Sequence, residues 1–225
     1  MSLWLVRLLQ LASPALPVGA YSYSQGLESA CEAKIVRDKN SARQWINDVL
    51  RFNTATMELP ILARLYRAWQ SQDLKSATYW NHHFLASRET AELRAETEQM
   101  GYSLAKLLLD GKFCDASELA SLNDLQPKGF PAAFSFAAVS FSVPVDEALT
   151  AYLWSWLENQ VIAAVKLVPL GQVAGQSLLF DLGQDIPSLV ERALSLADDD
   201  LCNFAPGLAI LSGQHETQYS RLFRS

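Results

Sequence analysis

The sequence predicts a single all-α domain, a helical bundle of about ten helices over residues 1–225. Three observations carry this prediction. Apolar residues in most long segments recur every three or four positions, the period of a helix with one buried face. Glycines and prolines fall between those segments, where they start or stop helices, and not between alternating runs. The one segment that also fits a strand, "FPAAFSFAAVSFSV", has helical neighbours and no second alternating run to pair with. Half of the residues are hydrophobic, enough for a substantial core. No repeat, low-complexity tract or linker divides the chain.

Taken in order, the first twelve residues, "MSLWLVRLLQLA", read as an amphipathic helix with Leu5, Leu8, Leu9 and Ala12 on its inner face. A signal peptide is the alternative, but no positive charge precedes the apolar run, and Arg7 and Gln10 interrupt it. A block rich in Pro and Gly follows (Pro14, Pro17, Gly19, Gly26), with a helix starting near Gln25. Ser41 can cap "ARQWINDVLRFNTATMELPILARLYRAWQ", which Pro60 kinks or divides. Asp73 can cap "LKSATYWNHHFLASR". In "RETAELRAETEQMGYSLAKLLLDG", Leu93, Thr97, Met100, Leu104 and Leu108 hold helical spacing up to the stop at Gly111. A polar stretch runs to Pro127 and Gly129, and then comes the phenylalanine-rich helix quoted above. Pro144 and Asp146 open the longest helix, which Pro169 ends; "PLGQVAGQSLLFDLG" is another, and Asp185 with Pro187 starts one that closes at the acidic run Asp198–Asp200. The chain then ends in an expected tail, residues 213–225.

The search for chemistry returns mostly exclusions. A net charge of −6 argues against a nucleic-acid footprint, which needs clustered basic residues. No segment reaches the roughly 20 uninterrupted apolar residues of a membrane span. Cys31, Cys114 and Cys202 are odd in number and far apart, the usage of a reducing compartment. There is no P-loop. "SYSQG" departs from the hydrolase elbow because Ser22 stands where its first glycine belongs, and Ser24 has few candidate bases: His82, His83 and His215. Ser24 therefore reads either as a helix cap or as a nucleophile. His82 and His83 are adjacent and diverge by about 100° on a helix, so they do not converge on one ion. His215, with Glu216, is the candidate metal ligand, in a site shared between chains, or else part of a solvated tail.

Several polar groups instead suggest contact surfaces. Glu92 and Glu96 lie i, i+4 on one helix face, continued by Gln99 and Ser103. The alternatives are a solvated face, an acid–base pair, or a surface for a partner's basic groups. Gln160 falls within the apolar stripe of the longest helix, with Asn159, Ala163 and Lys166 on another face. Gly171 and Gly175 leave room for close helix approach, and Gln172 and Gln176 repeat that spacing, which fits internal packing or a subunit contact. Tyr219, Leu222 and Phe223 with Arg221 and Arg224 make an end richer in interface side chains than a frayed terminus. It reads as a segment, mobile from about His215 onward, that orders on a partner.

The blocks "LASPALPVGAYSYSQGLE", "RETAELRAETEQMGYSLAKLL", "NQVIAAVKLVPLGQVAGQ" and "HETQYSRLFR", in that order from residue 11 to residue 224, resemble the UreF family of urease accessory proteins. The resemblance implies an all-α cytoplasmic homodimer without enzymatic activity and without a tightly bound cofactor. It implies that the chain bridges the accessory protein UreD (also called UreH) and the GTPase UreG, modulates GTP hydrolysis there, and helps deliver nickel, as cargo of the complex, to apo-urease. It also suggests that the Pro/Gly-rich block presents Ser22, Tyr23, Ser24 and Glu28 rigidly to a partner. Two other readings stand beside it: a helical scaffold unrelated to nickel, and a hydrolase using Ser24 or the Glu92/Glu96 pair.

Overall fold

The computed structural model describes residues 3–225. Within them the chain forms twelve α-helices, a π-helical stretch and two short 3-10 turns. Helix α1 (Leu3–Leu11) buries Leu8 and Leu11 and leaves Leu5 and Leu9 outside, so its inner face is rotated from the expected one. A 3-10 turn at Ala20–Ser22 leads to the short α2 (Leu27–Glu32). Helix α3 (Lys39–Val49) starts one turn earlier than Ser41 suggested. Asp38 is the cap and Ser41 is its reciprocal partner in a capping box, with Ser41 N–H donating to Asp38 Oδ1 at 2.8 Å.

The expected long helix is divided by π-helical geometry at Leu50–Glu58, after which α4 (Leu59–Gln70) resumes with Pro60 in its first turn. Proline lacks an N–H, and the first turn is where that donor has no intrahelical partner anyway. Asp73 caps α5 (Leu74–Ala86) as expected, and Thr90 caps α6 (Ala91–Asp110). Helix α7 (Ala116–Asp124) lies in the stretch read as loop; Leu119, Leu122 and Leu125 are buried at three-residue spacing along it. "FPAAFSFAAVS" is helix α8 (Phe130–Ser140), buried almost all round. Helices α9 (Val145–Leu167), α10 (Gln172–Gly183) and α11 (Ile186–Ser195) follow. Helix α12 (Pro206–His215) is a further addition, burying Leu208, Leu211, Ser212 and His215 on one stripe.

Helix α4 lies at the centre of the core and packs on α5, α8, α9 and α11. Two indole and phenol groups tie it to its neighbours: Trp69 Nε1–H donates to Ala132 O, and Tyr66 O–H to Val143 O. Helix α6 closes over α8 because Gly101 lets the backbone at Lys128 and Gly129 approach; a Cβ there would lie 2.4 Å from Lys128 O. That turn is clamped by Asn81, which accepts from Gly129 N–H and donates to Pro127 O, each at 2.8 Å. Gly175 plays a similar part between α10 and α9, where a Cβ would meet Val165 Cγ2 at 2.8 Å. Gly175 therefore serves packing within the chain, whereas a Cβ at the exposed Gly171 would meet nothing within 4 Å. One cluster of buried side chains, from Leu8 to Phe223, joins all of these elements. Among the described residues, no helix is long and apolar enough to cross a membrane.

Candidate functional site

The Pro/Gly-rich block builds a cradle for the last residues of the chain. Gln25 and Gly26 both have positive φ (52° and 76°), a conformation Gly26 adopts without a Cβ penalty. This turns successive backbone N–H groups toward one point. Ser24 N–H, Gln25 N–H and the Ser24 hydroxyl all donate to Ser225 O, at 2.7, 3.1 and 2.6 Å. The same Ser24 oxygen accepts from Glu28 N–H at 3.3 Å, capping the first turn of α2. Arg224 N–H donates to Ser22 O, and Glu28 accepts from Leu222 N–H at 2.7 Å and Phe223 N–H at 2.8 Å.

Charges complete the cradle. His215, fully buried at the end of α12, sets Nδ1 2.6 Å from Glu92 and Nε2 3.1 Å from Glu28. Each ring nitrogen thus faces a carboxylate oxygen. Arg221 Nη1 reaches the other oxygen of Glu92 at 2.5 Å. Glu216 accepts from Ala91 N–H and Glu92 N–H, so it caps α6 where its charge also complements the helix dipole. Glu96 accepts from Ser225 Oγ–H at 2.9 Å and from Gln25 Nε2–H at 2.8 Å. Burial pushes its carboxyl up to about 7, against the lowering effect of those two hydrogen bonds. Burial likewise raises the Tyr23 phenol, whose hydroxyl faces Arg224. Phe223 fills the apolar part of the cradle under Lys166, whose Nζ lies 5.4 Å from the ring centre.

Next to the cradle lies a cavity of about 110 Å³ lined by the segment between α1 and α2, by Glu58 and Arg88, and by side chains of α5, α6, α8 and α9. Its polar wall is Glu58, Arg88, Tyr152 and Glu96. Arg88 pairs with Glu58 at 3.3 Å, Tyr152 donates its hydroxyl to Glu58, and Arg88 Nε is buried without a partner. Gln25 joins the two regions, accepting from Trp156 Nε1–H at 2.8 Å while donating to Glu96.

The expected site residues thus divide. Ser24, Glu28, Glu92, Glu96, His215, Arg221 and Phe223 come together and engage one another, with Arg221 at the exposed rim. Ser24, Glu28, Glu96, His215 and Phe223 are buried, which corrects the picture of a rigid surface presentation for the buried members of the opening block. The segment from His215 onward is docked, so the expectation of a mobile tail is also corrected: its backbone N–H groups find carboxylate and carbonyl acceptors on α2 and the turn before it. His215 has both ring nitrogens engaged and is not free to ligate. Among the described residues, no group of three or more His, Cys, Asp and Glu is placed to hold a metal ion. Tyr219 is fully exposed, as are large parts of Leu222 and Arg224. Gln99 is exposed and donates to Ser103 Oγ. Lys166, Gln172 and Gln176 are exposed, the latter two beside Val173 and Phe180, which are 84% and 73% exposed.

Gln25, Glu58, Arg88 and Tyr152 escaped the sequence reading. A signal was present for Glu58, the lone charge in "TATMELPILA". The other three sit in ordinary amphipathic contexts, and nothing local marks them.

An all-α chain with polar side chains committed to internal docking and apolar ones left outside on α1 and α10 has the makeup of a helical assembly protein. A UreF family profile matches residues 36–183. A urease accessory protein UreF of Azoarcus sp. (strain BH72) is 58% identical over 226 residues, covering 98% of this chain and 95% of that relative. The UreF proteins of Methylobacillus flagellatus and Cupriavidus metallidurans are 52% and 51% identical, each over 98% of this chain and 97% of its own length. The chain belongs to the UreF family. Its role is that of a urease accessory protein, a chaperone-type component and not an enzyme.

Proposed function

We propose that the chain acts in the cytoplasm as a homodimer that bridges UreD/UreH and the GTPase UreG. In that assembly it modulates GTP hydrolysis on UreG while nickel passes, as cargo, to apo-urease. Family membership over nearly the whole chain supports this reading. The structural observation that carries it is α1, which is anchored by Leu8 and Leu11 yet turns Leu3, Val6 and Leu9 outward, 62%, 55% and 64% exposed. An exposed apolar stripe of this kind marks a protein contact. We assign the UreD/UreH contact to this stripe together with Tyr219, Leu222 and Arg224 of the tail. The polar face of Lys166, Gln172 and Gln176, with Val173 and Phe180, is assigned to the subunit seam or the GTPase.

The test is co-purification with UreD, UreG and apo-urease, followed by urease activity after adding nickel and bicarbonate. Leu9→Glu should fold normally, because the side chain already faces water, and should lose UreD. Retention of UreD by the folded variant would refute the assignment of α1. No gain in urease activity from the intact protein would leave the nickel-unrelated scaffold as the better reading.

A further inference from the structure

We propose that the cradle formed by Ser22–Glu28 and the first turns of α6 is a peptide-recognition site for extended segments that carry a basic residue two positions before an aromatic one. Residues 221–225 fill it in cis, and a partner-protein segment of the same chemistry can replace them. This goes beyond the urease-accessory reading and does not depend on it.

The docked segment is read the way a receptor reads a strand-like peptide, with main-chain bonds for affinity and alternate side chains for specificity. Four consecutive residues use their backbone: Leu222 and Phe223 donate to Glu28, Arg224 donates to Ser22 O, and Ser225 O accepts from Ser24 and Gln25. Side chains alternate with a period of two. Arg221 pairs with Glu92, Phe223 is buried and Ser225 Oγ–H bonds Glu96, whereas Leu222 and Arg224 point out.

Much of the cradle is set by groups outside the docked segment. The turn geometry comes from Gln25 and Gly26, Ser24 is held by Glu28 N–H, and Gln25 is fixed between Glu96 and Trp156. Among the described residues, the ion-pair partner of Glu92 is Arg221 of the docked segment, and the segment's Leu222 and Phe223 N–H groups satisfy Glu28, while His215 of α12 lies between the two carboxylates. A departing tail therefore leaves a carboxylate-lined groove that attracts a basic segment. Only one apolar anchor, Phe223, holds the segment, and the preceding Tyr219 packs on nothing. A docked tail with so few anchors is displaceable even at the millimolar effective concentration of a short tether.

The test uses the full-length protein and a fluorescent peptide with the sequence of residues 218–225, followed by anisotropy. Phe223→Ala weakens the cis tail and should bind the peptide saturably, at least tenfold more tightly than wild type does. Adding Glu28→Gln should reverse this by at least tenfold, and a peptide with its phenylalanine replaced by alanine should not bind. Circular dichroism checks the fold, and Arg221→Ala replaces Phe223→Ala should the latter fail to fold. Absence of saturable binding to a folded tail variant overturns the proposal, as does equal affinity for wild type and variant. A concentration-dependent wild-type dimer that Phe223→Ala dissociates would also overturn it, since the occupant would then be a second copy's tail.

Discussion

Replacing Glu28 by alanine separates two accounts of this residue. As an exposed carboxylate in the first turn of a helix, it would be worth about 0.3–1 kcal/mol through the helix dipole. The structure gives it three acceptor contacts instead: Leu222 N–H at 2.7 Å, Phe223 N–H at 2.8 Å and His215 Nε2 at 3.1 Å. Hydrogen bonds to a charged group contribute about 1.5–3 kcal/mol each. Removing one partner of a buried ion pair costs about 3–5 kcal/mol. Three orphaned donors would exceed the latter figure if they stayed buried, but the tail can detach and hydrate them. The loss is then limited to the docking free energy of the tail plus the His215–Glu28 contact, about 3–5 kcal/mol in all. Urea denaturation measures the total, and hydrogen exchange read by mass spectrometry locates it. We expect the amides of residues 222–224 to lose protection while α4 and α8 keep theirs. A loss under about 1 kcal/mol with protected tail amides would refute the role of Glu28 as the centre of the cradle.

Other changes probe neighbouring features. Glu96, raised by burial to about 7, binds a proton in the folded state that it gives up when unfolded, so its contribution is present below about pH 4.5 and lost as pH rises through about 7. Glu96→Gln should therefore remove part of the decline in stability between those values, by up to about 3 kcal/mol at pH 8, with thermal melts across pH as the readout. Gly101→Ala places a Cβ 2.4 Å from Lys128 O and 2.9 Å from Gly129 C, both backbone atoms, and should destabilise by about 1–3 kcal/mol or more in denaturant titration. Lys166→Ala should alter stability by under about 1 kcal/mol, the loss of an exposed cation–π contact, while changing GTP hydrolysis by the assembled complex; wild-type hydrolysis would return it to ordinary surface.

The order of the helices was legible in the sequence because it depends on local chemistry. Asp73, Pro144, Pro169 and Gly111 act within a turn of themselves, and periodic apolar residues mark the helices between them. Helices α7 and α12 carried the same signal, with Leu119, Leu122 and Leu125 in one and Leu208, Leu211 and His215 in the other, but their polar and glycine content obscured it. The identity of the family was legible too, since long blocks keep their order along the chain. The meaning of the polar residues was not. Glu28 and His215 are 187 positions apart, and Ser24 and Ser225 are 201 apart, yet each pair is in hydrogen-bond contact. Composition identified Tyr219–Arg224 as unlike a frayed end, and only the tertiary structure decided that Arg221 and Phe223 turn toward the cradle while Tyr219, Leu222 and Arg224 face out. A carboxylate on a helix looks the same in sequence whether it faces water, a partner or its own chain's tail. The difference lies in burial and long-range pairing, which no local pattern of residues encodes.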